Sequence, residues 1–146
     1  MSKATAKKSH PKSAKPSTAR KRRAAWPPKR FMWMDTPLQP LRIPTGWTVA
    51  HNDGLYEIDP VPDKIPDEER ACFFREDMLQ MENQSWNRLL DVGWYPEGDL
   101  ECGRYALHIH EGDWNGRLLH EFRTRDRQAL VIEIERVFNA IKEGQL

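Results

Sequence analysis

Three runs of strict two-residue alternation, separated by short glycine-containing turns, constrain the fold of this chain more than any other feature. Leu90, Val92 and Trp94 alternate with Leu89, Asp91, Gly93 and Tyr95. Tyr105, Leu107 and Ile109 alternate with Ala106, His108 and His110, and a third run covers 118–122. Pro96-Glu97-Gly98-Asp99 and Gly112-Asp113-Trp114-Asn115-Gly116 stand between them. Successive side chains of a strand point to opposite faces, so these runs predict half-buried strands, and such short connections require antiparallel neighbours. The period then changes. Leu130, Val131, Ile134, Val137, Phe138 and Ile141 form the apolar stripe of an amphipathic helix. Thr124 is the expected N-cap and Gly144 the expected C′ residue. A sheet with one apolar face and a helix with one apolar stripe bury them against each other. The expected fold is therefore α+β: an antiparallel β-meander of about five to six strands packed by a C-terminal amphipathic helix.

The upstream half carries weaker signals. Residues 47–51 and 55–58 flank Asn52-Asp53-Gly54, and Asp-Gly between alternating residues predicts a hairpin with Val49 opposite Ile58. Residues 59–66 form a Pro-rich loop. Residues 67–82 fit two patterns. Pro66 followed by Asp67, Glu68 and Glu69 has the composition of a helix first turn, and Phe74, Met78 and Met81 keep helical spacing. Cys72, Phe74, Glu76 and Met78 also alternate with Phe73, Arg75, Asp77 and Leu79. The reading adopted is a short helical turn leading into a strand.

Charge divides the chain. Of its 146 residues, 23 are Lys or Arg and 22 are Asp or Glu, a net +1. Eleven of the basic residues lie in 1–31, which has no acidic residue, so the remaining twelve face all 22 acids and residues 32–146 carry −10. Residues 2–25 contain no Leu, Ile, Val, Phe, Trp or Tyr and cannot bury enough area to offset ordering entropy. The expected organisation is a disordered basic tail (1–31), a Pro- and aromatic-rich extended segment (32–45) and a single acidic α+β domain (46–146). Trp26, Phe31 and Trp33 are candidates to tack the extended segment onto the domain. Met32 and Met34 stand at the junction, and a translation start at either removes the basic leader. Nothing apolar follows the N-terminal charges, so no signal peptide is expected, and no apolar run is long enough to span a bilayer. Cys72 and Cys102 make neither a disulfide framework nor a CxxC pair, which fits reduced thiols in a cytoplasmic protein.

Catalytic signatures are missing from the sequence: no Gly-rich phosphate loop, no HExxH, no Gly-x-Ser-x-Gly and no EF-hand loop. A non-catalytic protein without cofactor is expected. His108-Ile109-His110 places two imidazoles on one strand face, as in cupins, but Gly103 stands one residue too near and Glu111 follows directly. His120, the available third ligand, is expected on the opposite, apolar face, opposite Leu107 if His110 pairs with Arg117. Zinc sites need three or four converging ligands, so no metal is assigned. A small metal enzyme using His108 and His110 remains an alternative.

The acidic groups point elsewhere. Asp91, Glu97, Asp99 and Glu101 cluster around the central hairpin, and Glu111 and Asp113 flank the next turn with Trp114. Asp63, Asp67, Glu68 and Glu69 line the preceding loop. With Tyr95 and Trp114 as aromatic anchors, and Trp94 assigned to the core, these residues outline a docking face for a basic protein partner. The basic tail offers a rival reading as a nucleic-acid contact through Lys7, Lys8, Arg20, Lys21, Arg22 and Arg23. It has no aromatic residue before Trp26 to stack on bases, which argues against sequence-specific recognition.

Residues 39–146, with QPLRIPTGWTVAHNDGLYEIDP, LLDVGWYPEGDLECGRYALHIHEGDW and the closing amphipathic helix, resemble small bacterial α+β proteins, many of which are similar to immunity proteins of polymorphic and contact-dependent toxin systems. The resemblance is one of architecture and charge and carries over no site residue. It implies stoichiometric inhibition of a cognate toxin, often a nuclease, by blocking its active cleft.

Overall fold

A computed structural model describes residues 29–146. Five strands form one open antiparallel sheet in the order β1-β2-β3-β4-β5. They are β1 (Thr48–Asn52), β2 (Leu79–Asn83), β3 (Arg88–Tyr95), β4 (Arg104–Glu111) and β5 (Leu118–Thr124). The helices are the single turn α1 (Arg70–Phe73) and the long α2 (Arg127–Lys142). Short 3-10 turns occur at Met32–Met34, Pro62–Lys64 and Asp67–Glu69.

The alternation in β3 and β4 decides which face the helix covers. Leu90, Val92 and Trp94 of β3 pair with Ile109, Leu107 and Tyr105 of β4 on one face. That face meets Leu130, Ile134, Val137, Phe138 and Ile141 of α2 in one buried cluster. Each fully buried side chain of this size contributes roughly 1.5–3 kcal/mol over its exposed form. Aromatic edges close the ends of the layer. Trp94 lies 4.9 Å from Tyr105 and 4.8 Å from Phe74, while Trp47 stands 5.0 Å from Phe138 and ties the entry of β1 to α2.

α2 starts two residues later than the sequence suggests. Asp126 is the N-cap, its carboxylate accepting from the amides of Gln128 (2.8 Å) and Ala129 (3.1 Å). Thr124 acts one step earlier, accepting from the Asp126 amide at 3.0 Å. At the other end Gly144 takes φ 73° as expected of a C′ residue. Its amide donates to Ile141 and that of Gln145 to Ala140, so the last carbonyls are satisfied.

The hairpin expected over 47–58 does not form. β1 pairs with β2, and Gly54 lacks the positive φ of a primed turn. Beyond β1 the chain runs into the core instead. Leu55 is fully buried, Tyr56 packs edge-on to Phe73 at 5.3 Å, and Leu38 bridges Tyr56. Burial of Leu55 and Tyr56 outweighs a turn preference that is local and weak, so the meander has five strands. Residues 67–83 do pass from helical turns to a strand, although β2 starts only at Leu79.

The register between β4 and β5 also differs from expectation. A bulge between Ile109 and His110 sets Leu107 opposite Phe122 and Ile109 opposite His120. The shift is two residues, so every side chain keeps its face. His120 is on the helix side, where its Nε2 meets Glu133 of α2 at 2.7 Å.

The segment before β1 turns at Met32–Met34 and again at Thr45 and Gly46. The Gln39 amide donates to Leu55 and the Glu57 amide to Pro37, each at 2.8 Å. Arg127, in the first turn of α2, bonds both Asp59 and Gln39. Trp33 packs against the core and Phe31 is half-buried, whereas Trp26 lies outside the described residues.

Candidate binding groove on the uncovered sheet face

Among the described residues no helix lies over the face of the sheet turned away from α2, and its side chains form ordered rows. One row crosses all five strands: His51 of β1, Gln80 of β2, Asp91 of β3, His108 of β4 and Glu121 of β5 stand opposite one another in register. Directly opposed side chains in a sheet lie within contact distance, so these polar groups form a line rather than a scatter. His108 sits between two carboxylates, its Nδ1 4.0 Å from Asp91 Oδ2 and its Nε2 3.5 Å from Glu121 Oε2.

Asp91 is only 2% exposed. On its own strand it is flanked by Leu89 and Gly93, which pair with His110 and Ala106, and Leu89 and Ala106 are both buried. Its Oδ2 has no hydrogen-bond partner among the described residues. Burial, with the Asp77 charge adding, pushes its carboxyl up to about 7. Burial likewise lowers His108, which keeps its imidazole neutral at physiological pH. The Tyr95 phenol is raised, first by burial and then by Asp91.

A glycine brings the second carboxylate over this row. Before β2 begins, the Met78 amide donates to Val92 and the Trp94 amide to Arg75, at 3.0 and 2.7 Å. Glu76 and Asp77 therefore bulge out opposite Gly93 alone. A Cβ on Gly93 would lie 1.9 Å from the Glu76 carbonyl oxygen, so only glycine admits the crossing. The crossing segment is tied on both sides: the Tyr95 hydroxyl donates to the Glu76 carbonyl at 3.4 Å, and Arg75 bonds Asp53 at 2.6 Å.

Two depressions result. One, of about 290 Å³, is lined by His51, Asp77, Gln80, Asp91 and Trp114. The other, of about 300 Å³, is lined by His51, Arg75, Glu76, Asp77 and Glu97. They share His51 and Asp77 and make one groove. Trp114 reaches it from the β4–β5 turn, tilted against His110 with ring centroids 5.4 Å apart.

Comparison with protein-family models, curated proteins and solved structures finds no match. The site therefore rests on its own geometry.

Of the eight residues assigned to a docking face, the structure brings Asp91, Trp114, Glu97 and Tyr95 to or beside the groove. Asp91 needs correcting within that set, because it is a buried floor and not a surface charge. Asp99 serves its own turn, accepting from the amides of Glu101 and Cys102. Glu101 stands in the loop that Arg125 holds through the carbonyls of Leu100, Glu101 and Gly103. Asp113 accepts from the Asn115 amide, and Glu111 faces Arg117 at 3.6 Å. These four lie outside the groove. Among the earlier loop acids, Glu69 is buried and accepts the Met32 amide at 2.8 Å.

Sequence reasoning missed His51, Glu76, Asp77 and Gln80. The available signal was Gly93, a glycine inside a core strand, which marks close approach of another backbone. His108 and His110 share a face as expected, 6.2 Å apart between ring centroids. Among the described residues no group of three His, Cys, Asp or Glu is placed to hold a metal ion. Lys7, Lys8, Arg20, Lys21, Arg22 and Arg23 lie outside the described residues. The two basic residues of that segment that are described both meet acids, Lys29 with Glu68 at 2.7 Å and Arg30 with Asp35. No helix among the described residues is long and apolar enough to cross a membrane.

Proposed function

We propose that this protein is a non-catalytic binding protein that seats a basic protein partner on the uncovered face of its sheet, in the manner of an immunity-type inhibitor of a basic, nuclease-like toxin. The observation that carries this reading is the groove itself. It is open, walled by Asp77, Glu76 and Glu97 around a buried Asp91, and fringed by the half-exposed indole of Trp114. Among the described residues its one arginine, Arg75, is already engaged by Asp53, which leaves the carboxylates without a cation from that part of the chain. Exposed carboxylates around an aromatic anchor steer a cationic surface and hold it, and nucleases carry such surfaces for phosphate.

The test is inhibition. A basic nuclease domain encoded beside this chain should lose activity at one equivalent of the full-length protein, with affinity falling as salt rises. Asp77 and Glu97 are exposed and outside the core, so Asp77→Lys with Glu97→Lys should leave the fold intact. The double variant should weaken the complex by about 100-fold or more, the scale of placing like charges at an interface. Unchanged inhibition by the double variant would rule out this face.

A further inference from the structure

The smaller depression has features that point to one ligand chemistry. Its floor is Asp91, almost wholly buried, whose Oδ2 has no hydrogen-bond partner among the described residues. A carboxylate oxygen only accepts, so the missing partner is a donor, and a charged donor forms the strongest bond. Trp114 lines it as well, and an indole is the aromatic ring on which cations sit best. Asp77 and Gln80 complete the lining with His51. About 290 Å³ is at the lower limit of small-molecule sites, which suits one side chain and not a cofactor.

We infer that this depression is a guanidinium subsite, in which an arginine side chain of the protein partner enters between Trp114 and Asp77 and donates paired hydrogen bonds to Asp91. The inference rests on the docking reading above and names the group that enters. A planar guanidinium can engage a carboxylate with two N–H groups and stack on an indole at once, which an ammonium cannot. A peptide-borne arginine fits better than a free one, because the cavity runs on through His51 and Asp77 into the second acidic depression.

The binding form of Asp91 is the carboxylate, so affinity should rise with pH through its titration. The other groups facing it are His51 from β1, Gln80 from β2, Glu76 and Asp77 from the crossing segment, and Tyr95 from its own strand. His108 and His110 face it from β4, and Glu121 and Arg123 from β5. Neutral His108 adds no positive charge to compete with the incoming one.

The probe is a capped Gly-Arg-Gly peptide, with its citrulline counterpart as a neutral isostere and free arginine as the small-molecule source. Nuclear magnetic resonance of the full chain follows the Asp91 carboxyl carbon and the Trp114 indole N–H. The Arg peptide should shift both saturably, more tightly than citrulline or free arginine, and about tenfold more tightly at pH 8 than at pH 6. Asp91→Asn should weaken it by about tenfold or more with the core amide signals unchanged. Trp114→Ala, a change at an exposed position, should weaken it too. Equal affinity for the citrulline peptide, equal affinity in Asp91→Asn, or no saturable shift by ~20 mM peptide overturns the subsite. Tighter binding of free arginine than of the peptide overturns the protein source. If the subsite fails while Asp77→Lys with Glu97→Lys still abolishes inhibition, the docking face stands without arginine insertion. If the Arg peptide binds as described while that double variant still inhibits fully, this face is not where the toxin docks and the subsite stands as an arginine-peptide site.

Discussion

Asp91 is the residue at which stability and binding oppose each other. Its carboxyl titrates at about 7 in the folded protein against 3.8 for the free group. The folded chain therefore holds this proton more tightly than the unfolded chain. Below about pH 4 both states are protonated and there is no penalty. Between about pH 4 and pH 7 the unfolded state releases its proton first, and stability falls by roughly 1.4 kcal/mol per pH unit. Above the folded value the penalty is constant. Asp91→Asn should remove this slope, so that between about pH 4 and pH 8 the stability difference moves against the wild type by a few kcal/mol. Urea midpoints of both proteins at constant m-value would show it. A wild-type curve parallel to that of the variant would mean that Asp91 is solvated or paired in solution. Sequence placed Asp91 correctly on the face shared with Tyr95, since period two decides sides. It did not reveal the burial, because Leu89, Ala106 and the crossing segment that desolvate it are brought together only by the sheet.

Among the elements, the crossing segment 75–78 and the start of α2 show how local and tertiary determinants separate. Gly93→Ala should destabilise by about 2–4 kcal/mol, since its Cβ would fall 1.9 Å from a backbone oxygen that cannot swing away. Thermal unfolding reads the loss, and displacement of Asp77 should weaken the partner complex in the same variant. The cap makes a milder prediction. Asp126→Ala should cost about 1 kcal/mol by removing the acceptor of two amides, and Thr124→Val should cost less because its hydroxyl serves a single turn amide. A larger loss from Thr124→Val would contradict the cap assignment. The helix itself was legible because its apolar stripe persists over twelve residues. The cap was not, because Thr124 and Asp126 both carry capping oxygens and only backbone geometry chooses between them. Asp53-Gly54 misled for a related reason. A turn dipeptide states a local preference of limited size, and Leu55 and Tyr56 gain more by entering the core than by pairing back on β1.

For the whole molecule, the open meander with one covered face predicts a gradient of stability. β3 and β4 are central and buried by α2, whereas β1 is an edge strand whose Val49 is exposed and whose pairing is interrupted between Val49 and His51. Hydrogen exchange should give the highest protection in β3 and β4 and the lowest in β1, which supplies His51 to the groove. Equal protection in β1 would show that the groove's edge is as rigid as its floor. The amino-acid sequence by itself determined the central strands, the C-terminal helix and which way their side chains face, because those follow from periods of two and 3.6 along the chain. It also determined that the chain's charge is divided into a basic segment and an acidic remainder. Register, strand partners and the groove came only from tertiary structure. A bulge of two residues over Gly93, a shift of two between β4 and β5, and a row of polar groups drawn from five strands have no signature at short range. They arise where distant segments compete for the same apolar face and leave the other uncovered.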